Sequence, residues 1–491
     1  TLGAGVGSLL AGFLLIPALG TQTSLIAVGV ANSLLALPLL WASAPRWRWA
    51  ALVAPVVLVA AASALPPDSV ILSAGMFQGD KPDDMVYFHE DAQASVTVRE
   101  QRDQSGPYLS LELNGVNEAG TSPDLYAIQK LQGHLPLLLA PGARAVVHIG
   151  FGSGGTAWAV SRHAVDDILI VEISPEVLKA SARYFVPINH GVLADARVRV
   201  EINDGRNFLL ASPERFDAVL SDSIHPRYAG NGSLYSREYF DLVKERLKPG
   251  GVASMWLPMY SLTTRNFAMI LAAFHAVFPY VQVWYEPSAL NAFTVVTGTL
   301  SRPCWDGDAV AAAFAQPQVR QELFDLGLRR ASDLLPLLLA TEVELEPWLR
   351  TVPQHTDGFP AVEYESGALL QRDLPWRATF TRLLELRPSE PPACWLQALP
   401  AGEQAIALAA WRERRELLVG HRDFLAQAIA KELGVRIPEV GAAAATALTQ
   451  NSSRQYIARY ASPAPGCGGP IWRAPGALVT AVEAVDLDRL R

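Results

Sequence analysis

The stretch that decides the fold runs Val147-His148-Ile149-Gly150-Phe151-Gly152-Ser153-Gly154-Gly155. An apolar run of strand length leads into a turn with four glycines, and a helical stretch follows. Glycines at such a turn permit a tight bend and let a ligand approach the backbone, while amide groups at the start of the next helix point toward it. Alone, the stretch is also compatible with a purely structural turn. The choice between a ligand-binding turn and a structural turn therefore depends on the neighbouring runs.

Apolar runs of strand length alternate with helical stretches on both sides of this turn. Such alternation predicts βαβ units and a mostly parallel α/β sheet. Ligands of such sheets bind at the carboxyl ends of the strands, so the residues that end each run are the candidates for a site. The runs are Ala145–Ile149, Ile168–Ile173, Val198–Ile202, Phe216–Leu220 and Val252–Leu257.

Three of these runs after the first end in an acidic residue. Glu172 lies about 20 residues beyond the glycine turn, a spacing suited to holding ribose hydroxyls. Asp204 precedes Gly205 and could accept a hydrogen bond from an adenine amino group, and Asp222 ends the fourth run. A lone acid is usually a helix cap or a solvated turn residue. Four successive strand ends with Gly, Glu, Asp and Asp predict a nucleoside site.

The first 67 residues predict membrane-spanning helices. They contain two charges, Arg46 and Arg48, and three apolar stretches, Leu2–Leu19, Thr23–Ala42 and Trp49–Leu65. Each stretch approaches the ~20 residues that a helix needs to cross the hydrocarbon core. We expect residues 1–67 to be part of a longer, multi-pass membrane domain in a bacterial inner membrane. The alternative is a buried hairpin in a large soluble core.

Composition excludes several classes of protein. The chain has 491 residues with 40 Lys and Arg against 48 Asp and Glu, and this acidic balance argues against nucleic acid as a partner. Half of the residues are hydrophobic, which excludes a disordered chain. The cysteines Cys304, Cys394 and Cys467 are too few and too far apart for a disulfide framework or a zinc site, and no metal site is predicted.

The parts of the chain around the α/β runs are predicted less fully. Residues 68–125 form a linker and a small β unit, in which the runs Ala94–Arg99 and Tyr108–Leu113 precede the turn Asn114-Gly115. Residues 301–491 are predicted to be mostly helical, including the Leu-rich stretch Leu323–Leu345.

Taken together, the motifs resemble the spermidine synthases, the polyamine aminopropyltransferases, and in more detail their membrane-fused bacterial type. The resemblance covers about residues 86–300. Its motifs are Leu135-Pro136-Leu137, the glycine stretch quoted above, Val171-Glu172-Ile173, Asn203-Asp204-Gly205-Arg206, Ser221-Asp222-Ser223, Leu234-Tyr235-Ser236-Arg237-Glu238-Tyr239-Phe240, Leu247-Lys248-Pro249-Gly250-Gly251 and Trp256-Leu257-Pro258.

The resemblance implies a class I methyltransferase-like (Rossmann-like) sheet over residues 126–300, behind the small β unit. It implies a donor, decarboxylated S-adenosylmethionine, whose aminopropyl group passes to a small-molecule amine and leaves methylthioadenosine. Asp222 would orient and deprotonate the amine. A homodimer is left open. The implied donor-binding residues are Gly150, Gly152, Ser153, Gly154, Glu172, Asp204 and Gly205.

The sequence departs from the pattern of the synthases at three positions. Their glycine turn carries an Asp where this chain has Ser153, and a second Asp follows the catalytic acid where this chain has His225. Their catalytic Tyr precedes the Leu-Pro-Leu stretch by seven residues, which is Ile128 here, and Tyr126 lies two residues from that position. Tyr126 remains a catalytic candidate, and Ser223 and His225 remain substrate-binding candidates.

These departures leave two other functions open. One is a methyltransferase of the same fold that takes S-adenosylmethionine itself, and the other is a catalytically silent nucleoside-sensing domain on a transporter-like protein. The glycine-rich segment 225–233 is expected to be either a lid over the substrate or an ordinary loop. The segment 355–360, followed by Glu363, is expected to be a structural loop or one that returns toward the site.

Two observations give opposite predictions for the side of the membrane on which the large domain lies. Arg46 and Arg48 would place their loop in the cytoplasm and the large domain outside. The inferred donor is a cytosolic metabolite, and two arginines bias orientation weakly. We therefore expect the catalytic domain to be cytoplasmic.

Overall fold

A computed structural model describes residues 2–43, 49, 53, 55–57, 59–61, 84–103, 106–222, 224–228, 230–286, 291–303, 306–364 and 374–433. The chain divides into two compact units. The first comprises Thr1–Gln101 with Leu109–Ala119, and the second comprises Arg102–Tyr108 with Gly120–Arg491.

The first unit begins with a long helical run. Gly20 interrupts this run, because its φ of 76° and ψ of 164° are not helical. The carboxylate of Glu90 accepts hydrogen bonds from the backbone N–H of Thr21 (2.7 Å) and from its hydroxyl, and so holds the residue after the break. The run consists of the helix Leu2–Leu10, a π-helical turn Ala11–Leu15, and the helix Ile16–Ser43.

One helical stretch in the described residues, Leu2–Leu35, is long and apolar enough to cross a membrane. The sequence predicts three spans, and the described residues provide this one candidate. The third predicted segment, Trp49–Leu65, lies largely outside the described residues.

The first unit also contains the predicted small β unit. Four strands pair in the order β1-β2-β3-β4, and the turn between β3 and β4 is the predicted Asn114-Gly115. Asn114 and Gly115 have φ values of 51° and 77°, as a two-residue hairpin turn requires. The strands are β1 Met85–Glu90, β2 Ser95–Asp103, β3 Gly106–Leu113 and β4 Val116–Gly120.

The second unit is built on an eight-stranded sheet with the order β12-β10-β11-β9-β8-β5-β6-β7. All five runs predicted as strands are strands, and they pair in parallel. Because the sheet extends from β5 in both directions, the crevice between β5 and β8 is the position where such sheets bind ligands. The parallel strands are β5 Ala145–Ile149, β6 Asp167–Glu172, β7 Val198–Ile202, β8 Phe216–Ser221 and β9 Leu247–Pro258.

Three antiparallel strands extend the sheet beyond β9. One of them corrects the sequence analysis, because the Leu-rich stretch Leu323–Leu345 is not one helix. Residues near its C-terminal end form β12, which pairs with β10, and short apolar runs do not distinguish a buried strand from a buried helix. These strands are β10 Tyr280–Trp284, β11 Phe293–Thr299 and β12 Leu338–Thr341.

Helices cover both faces of the sheet. On one face Val147 and Ile149 pack in a cluster that includes Phe267 and Phe274, and on the other face Val146 packs with Val160. The helices of this unit are Pro123–Leu139, Gly155–Ser161, Pro175–Tyr184, Val186–Asn189, Gly205–Ala211, Arg237–Arg246, Thr264–Val277, Gly307–Ala315, Pro317–Asp325, Glu342–Leu349, Ala361–Tyr364, Leu374–Leu386, Ala393–Gln397 and Ala401–Leu433.

A buried arginine ties the C-terminal helices to the edge of the sheet. The guanidinium of Arg387 donates to the backbone carbonyls of Leu338, Trp411 and Pro336, and it stacks on the Trp411 ring with 3.8 Å from Cζ to the ring centroid. Arg387 therefore holds the helix Ala401–Leu433 against the edge of the sheet next to β12.

Candidate functional site

The glycine turn after β5 forms the centre of the candidate site. Gly150, Gly152 and Gly154 have φ values of 84°, 54° and 86°, which favour glycine. A Cβ at Gly154 would lie 2.6 Å from the Phe151 ring and 2.7 Å from the Asn189 Cβ, so this position also lacks space for a side chain. The backbone therefore turns sharply between the end of β5 and the start of the helix Gly155–Ser161.

Ser153 is held inside the turn by neutral groups. Its hydroxyl donates to Oε1 of Gln129 at 2.6 Å, and its carbonyl accepts from Nδ2 of Asn189 at 2.9 Å. Ser153 is almost fully buried. The position that carries an Asp in the resembling family is thus a neutral serine–glutamine pair in this protein.

Glu172 fastens the glycine turn to β6. One carboxylate oxygen accepts from the backbone N–H of Phe151 at 2.8 Å, and the other accepts from the backbone N–H of Ser174 at 3.0 Å. Burial raises the pKa of Glu172, and these backbone donors and the nearby His148 oppose the shift. A carboxylate has about four lone-pair sites, so these backbone donors leave acceptor capacity for a ligand hydroxyl.

Asp204 lies at the next strand end, after β7. It caps the helix Gly205–Ala211, because its Oδ1 accepts from the backbone N–H of Asn207 at 2.8 Å. Gly205 is buried, and a Cβ there would lie 2.3 Å from Cγ2 of Ile149 in β5. The Asp-Gly pair thus lets this helix approach the central strand next to the glycine turn. The predicted adenine contact of Asp204 stays a prediction.

Asp222 follows β8 on the other side of the crevice. Its backbone N–H donates to the Ile149 carbonyl at 2.9 Å, and its Oδ2 accepts from the Thr156 hydroxyl at 2.8 Å. The same oxygen lies 3.6 Å from Nε2 of the buried His148. Since the side chain is 24% exposed, the carboxylate is anchored by the protein and still accessible to solvent.

Both ring nitrogens of His225 lie within hydrogen-bond distance of backbone groups. Its Nε2 lies 2.9 Å from the Tyr260 carbonyl, and its Nδ1 accepts from the backbone N–H of Arg227 at 3.2 Å. Burial lowers the pKa of His225 to about 3. It is therefore a neutral residue that positions the loop and the aromatic rings around it, and its predicted contact with substrate stays a prediction.

Tyr126 lies on the helix Pro123–Leu139 near an ion-pair cluster. Nζ of Lys130 lies 4.4 Å from the Tyr126 ring centroid, and Lys130 pairs with Glu322 (2.8 Å) and Asp325 (2.7 Å). Burial raises the pKa of Tyr126 to about 12. Ile128, at the position of the family's tyrosine, is in the core. A catalytic role for Tyr126 beside Asp222 stays a prediction.

The segment 355–363 returns to the loop after β8. The Glu363 carboxylate accepts from the backbone N–H of Gly230 (3.2 Å) and of Gly232 (2.9 Å). His355 Nε2 lies 2.9 Å from the Gly232 carbonyl, and the Asp357 carboxylate binds the Arg206 guanidinium through two hydrogen bonds. We call residues 355–363 the strap, because they bind the glycine-rich loop 225–233 and Arg206.

The strap contains a pH-sensitive ion pair. The Arg206 guanidinium holds the pKa of Asp357 below its ordinary value of 3.8. A depressed acid pKa stabilises the folded state above the unfolded value, and this contribution is lost as the pH falls through the folded value. The ion pair is therefore complete at neutral pH and is released only in acid.

Glu363→Ala is expected to expose the glycine-rich loop to protease. The substitution leaves the Gly230 and Gly232 N–H groups without their charged acceptor, and such bonds contribute about 1.5–3 kcal/mol each. We expect trypsin cleavage after Arg227 to become about 10-fold faster or more. Glu346→Ala, which removes a surface pair with Arg350, is the matched control. Equal cleavage rates in the two variants would show that Glu363 does not hold the loop.

Several residues of the candidate site have no recognisable signal in the sequence. Gln129, Thr156 and Asn189 hold the turn and Asp222, and no local pattern distinguishes them from other helical residues. The signal for the strap was present in the tight 355–360 segment, but its partner could not be identified. Ser223 lies outside the described residues. No group of three or more His, Cys, Asp or Glu side chains in the described ranges could hold a metal ion.

The central segment of the chain is similar to a known family of domains. Residues 126–297 match the model of the spermine/spermidine synthase domain. This segment begins at Tyr126, includes the glycine turn and all the predicted strand-end acids, and ends within β11.

Several curated proteins are similar to part of this chain. Spermidine synthase 1 of Pisum sativum is 40% identical over 157 residues, which cover 30% of this chain and 46% of that protein. The polyamine aminopropyltransferase of Sodalis glossinidius is 34% identical over 29% of this chain and 49% of its own. The spermidine synthase of Schizosaccharomyces pombe is 30% identical over 38% and 64%. The chain spans about half the length of these relatives.

Two solved structures are also similar. A spermidine synthase in complex with the transition-state analogue AdoDATO has a TM-score of 0.41 and 21% identity, covering 50% of this chain and 89% of its own. A probable spermidine synthase from Corynebacterium glutamicum ATCC 13032 has a TM-score of 0.40 and 16% identity, covering 57% and 98%.

Proposed function

We propose, because residues 126–297 belong to the spermine/spermidine synthase domain family, that this protein transfers an aminopropyl group from decarboxylated S-adenosylmethionine to an amine. The observation that carries the proposal is the position of Asp222 across the crevice from the glycine turn, with one face of its carboxylate anchored by Thr156. The curated relatives named spermidine synthase and polyamine aminopropyltransferase support the same activity.

In this proposal the donor lies along the carboxyl ends of β5, β6 and β7. Gly150, Gly152 and Gly154 approach it with backbone, Glu172 accepts from the ribose hydroxyls, and Asp204 accepts from the adenine amino group. The amine binds beside Asp222, under the loop that the strap holds. The two substrates then meet at the crevice between β5 and β8.

The chemistry needs a free electron pair on the amine. An amine at neutral pH is mostly an ammonium ion, which cannot attack carbon. As the N–C bond forms, the N–H bond breaks and its proton passes to the Asp222 carboxylate. The C–S bond breaks, its electron pair stays on sulfur, and the sulfonium becomes the thioether methylthioadenosine. The protein holds nitrogen, carbon and sulfur in line.

A second function has one specific observation in its favour. In an aminopropyl donor the transferred group ends in an ammonium, and a buried ammonium without a carboxylate is costly. Ser153 and Gln129 present neutral groups at the position where the family has an Asp. Methyl transfer from S-adenosylmethionine needs no carboxylate at this position, so it is the alternative.

Product analysis separates the candidates. The purified protein is incubated with either donor and a panel of mono-, di- and polyamines, and the nucleoside product is measured. Methylthioadenosine supports aminopropyl transfer, and S-adenosylhomocysteine supports methyl transfer. If neither forms although methylthioadenosine binds in calorimetry, the domain senses a nucleoside and is not an enzyme.

We propose further that the apolar helical run Leu2–Ser43 lies in a bacterial inner membrane, as part of a multi-pass region, with the second unit in the cytoplasm. Its support is a stretch, Leu2–Leu35, that is apolar and not buried within the protein. The cytosolic origin of the proposed donor favours this side of the membrane.

Protease protection tests the orientation. Proteinase added to intact spheroplasts of cells that make the protein should leave the second unit uncut, whereas lysed spheroplasts should lose it. Digestion in intact spheroplasts would place the unit outside and remove its access to a cytosolic donor.

A further inference from the structure

A buried histidine lies below the acids of the site and has no role in the scheme above. His148 is in the middle of the sheet, on β5, and is fully buried. Neither of its ring nitrogens makes a hydrogen bond within the described part of the chain. Buried polar groups are normally hydrogen-bonded, so this ring calls for an explanation.

The register of the strands explains what surrounds the ring. His148 is paired with Ile170 of β6 and with Leu220 of β8. Since side chains alternate between the two faces of a sheet, the residues two positions further on, Glu172 and Asp222, are on the same face as His148. Asp222 and Glu172 are the two carboxylates that interact with the ring. Thr156 of the helix Gly155–Ser161, which also binds Asp222, is neutral.

The two acids differ in how their carboxylate oxygens are hydrogen-bonded. Glu172 already accepts a backbone N–H on each oxygen. Asp222 accepts the Thr156 hydroxyl on Oδ2, and His148 Nε2 lies 3.6 Å from that oxygen. A neutral imidazole has one N–H, and catalytic hydrogen bonds are often long in ligand-free structures and shorten in the substrate complex.

We propose that His148 is a positioning residue that donates its Nε2–H to Asp222 Oδ2. Together with Thr156 it fixes one oxygen of the carboxylate and leaves the other, Oδ1, to the acceptor amine. The part of this inference that concerns the amine rests on the proposed function. The pairing of His148 with Asp222 does not depend on it.

Two substitutions separate this role from simple packing. His148→Phe keeps a planar ring and removes the N–H, and His148→Gln places an amide N–H near the position of Nε2. We expect His148→Phe to lower kcat about 10-fold and to move the acidic limb of the pH–rate profile to higher pH, because a carboxylate that loses a donor is protonated more easily. His148→Gln should restore both, and methylthioadenosine affinity should be unchanged in both variants.

Other results would overturn the proposal. These are an unchanged pH–rate profile in His148→Phe, or a His148→Gln variant as impaired as His148→Phe. His275→Phe, a half-buried histidine on the helix Thr264–Val277, controls for loss of a histidine elsewhere. Thermal unfolding shows whether each variant is folded.

Nitrogen NMR tests the pairing even if the protein transfers no group at all. In the ¹⁵N-histidine spectrum, the signal that is lost in His148→Gln should be that of an Nε2-protonated ring, and Asp222→Asn should shift it. A ring protonated on Nδ1, or one insensitive to Asp222→Asn, would overturn the pairing. Absent turnover with the expected NMR result would contradict the proposed function alone.

Discussion

Asp222→Asn is expected to lower turnover by about 10²-fold or more while donor affinity changes little. The amide has nearly the shape of the carboxylate and can still accept from Thr156, so the anchor seen at Oδ2 is retained. The asparagine amide cannot take a proton from the acceptor amine. Its NH₂ group would face that amine, which is itself a hydrogen-bond donor. The measurement is steady-state turnover together with calorimetric binding of methylthioadenosine.

Asp217→Asn is the matched control on the same strand. Asp217, near the start of β8, accepts the backbone N–H groups of Arg144 and Ala145 and pairs with Lys248. Its substitution should lower thermal stability without affecting the chemical step. If Asp222→Asn turned over substrate at the rate of the parent protein, the assignment of Asp222 as the base would be refuted.

Glu172→Ala is expected to weaken binding of methylthioadenosine by about 10- to 100-fold, which corresponds to roughly 1–3 kcal/mol. The structure adds a second expected effect. The backbone N–H groups of Phe151 and Ser174 both donate to this carboxylate, and removing it leaves two buried donors unpaired. The variant should therefore also lose thermal stability, and the glycine turn should become less well ordered.

Glu172→Gln separates these two effects. The amide keeps one acceptor oxygen and turns the other group into a donor that faces a backbone N–H, so stability should fall less than in Glu172→Ala. Glu176→Gln, on the following helix, is the control, because Glu176 is similarly buried but pairs with Lys179. Parent-like methylthioadenosine affinity in Glu172→Ala would show that this carboxylate does not hold the ribose.

The parallel part of the sheet could be predicted because its signals are local. Each of β5 to β9 contains a short run rich in apolar residues, and this pattern depends on a few neighbouring residues. β12 was predicted as helix because a short apolar run in a Leu-rich stretch fits either structure. Its pairing with β10 decides the conformation, and that pairing joins residues far apart in the sequence.

The candidate site also combines residues that have a local sequence signal with residues that have none. The glycine turn and the strand-end acids Glu172, Asp204 and Asp222 could be found from local sequence patterns, since the ends of parallel strands meet at one edge. Their surroundings depend on long-range packing: Glu363 holds a loop 131 to 133 residues away in the chain, and His148 lies beneath Asp222. Such contacts depend on where the whole chain passes and on the register between strands. Neither quantity is encoded in the spacing of residues near the motif.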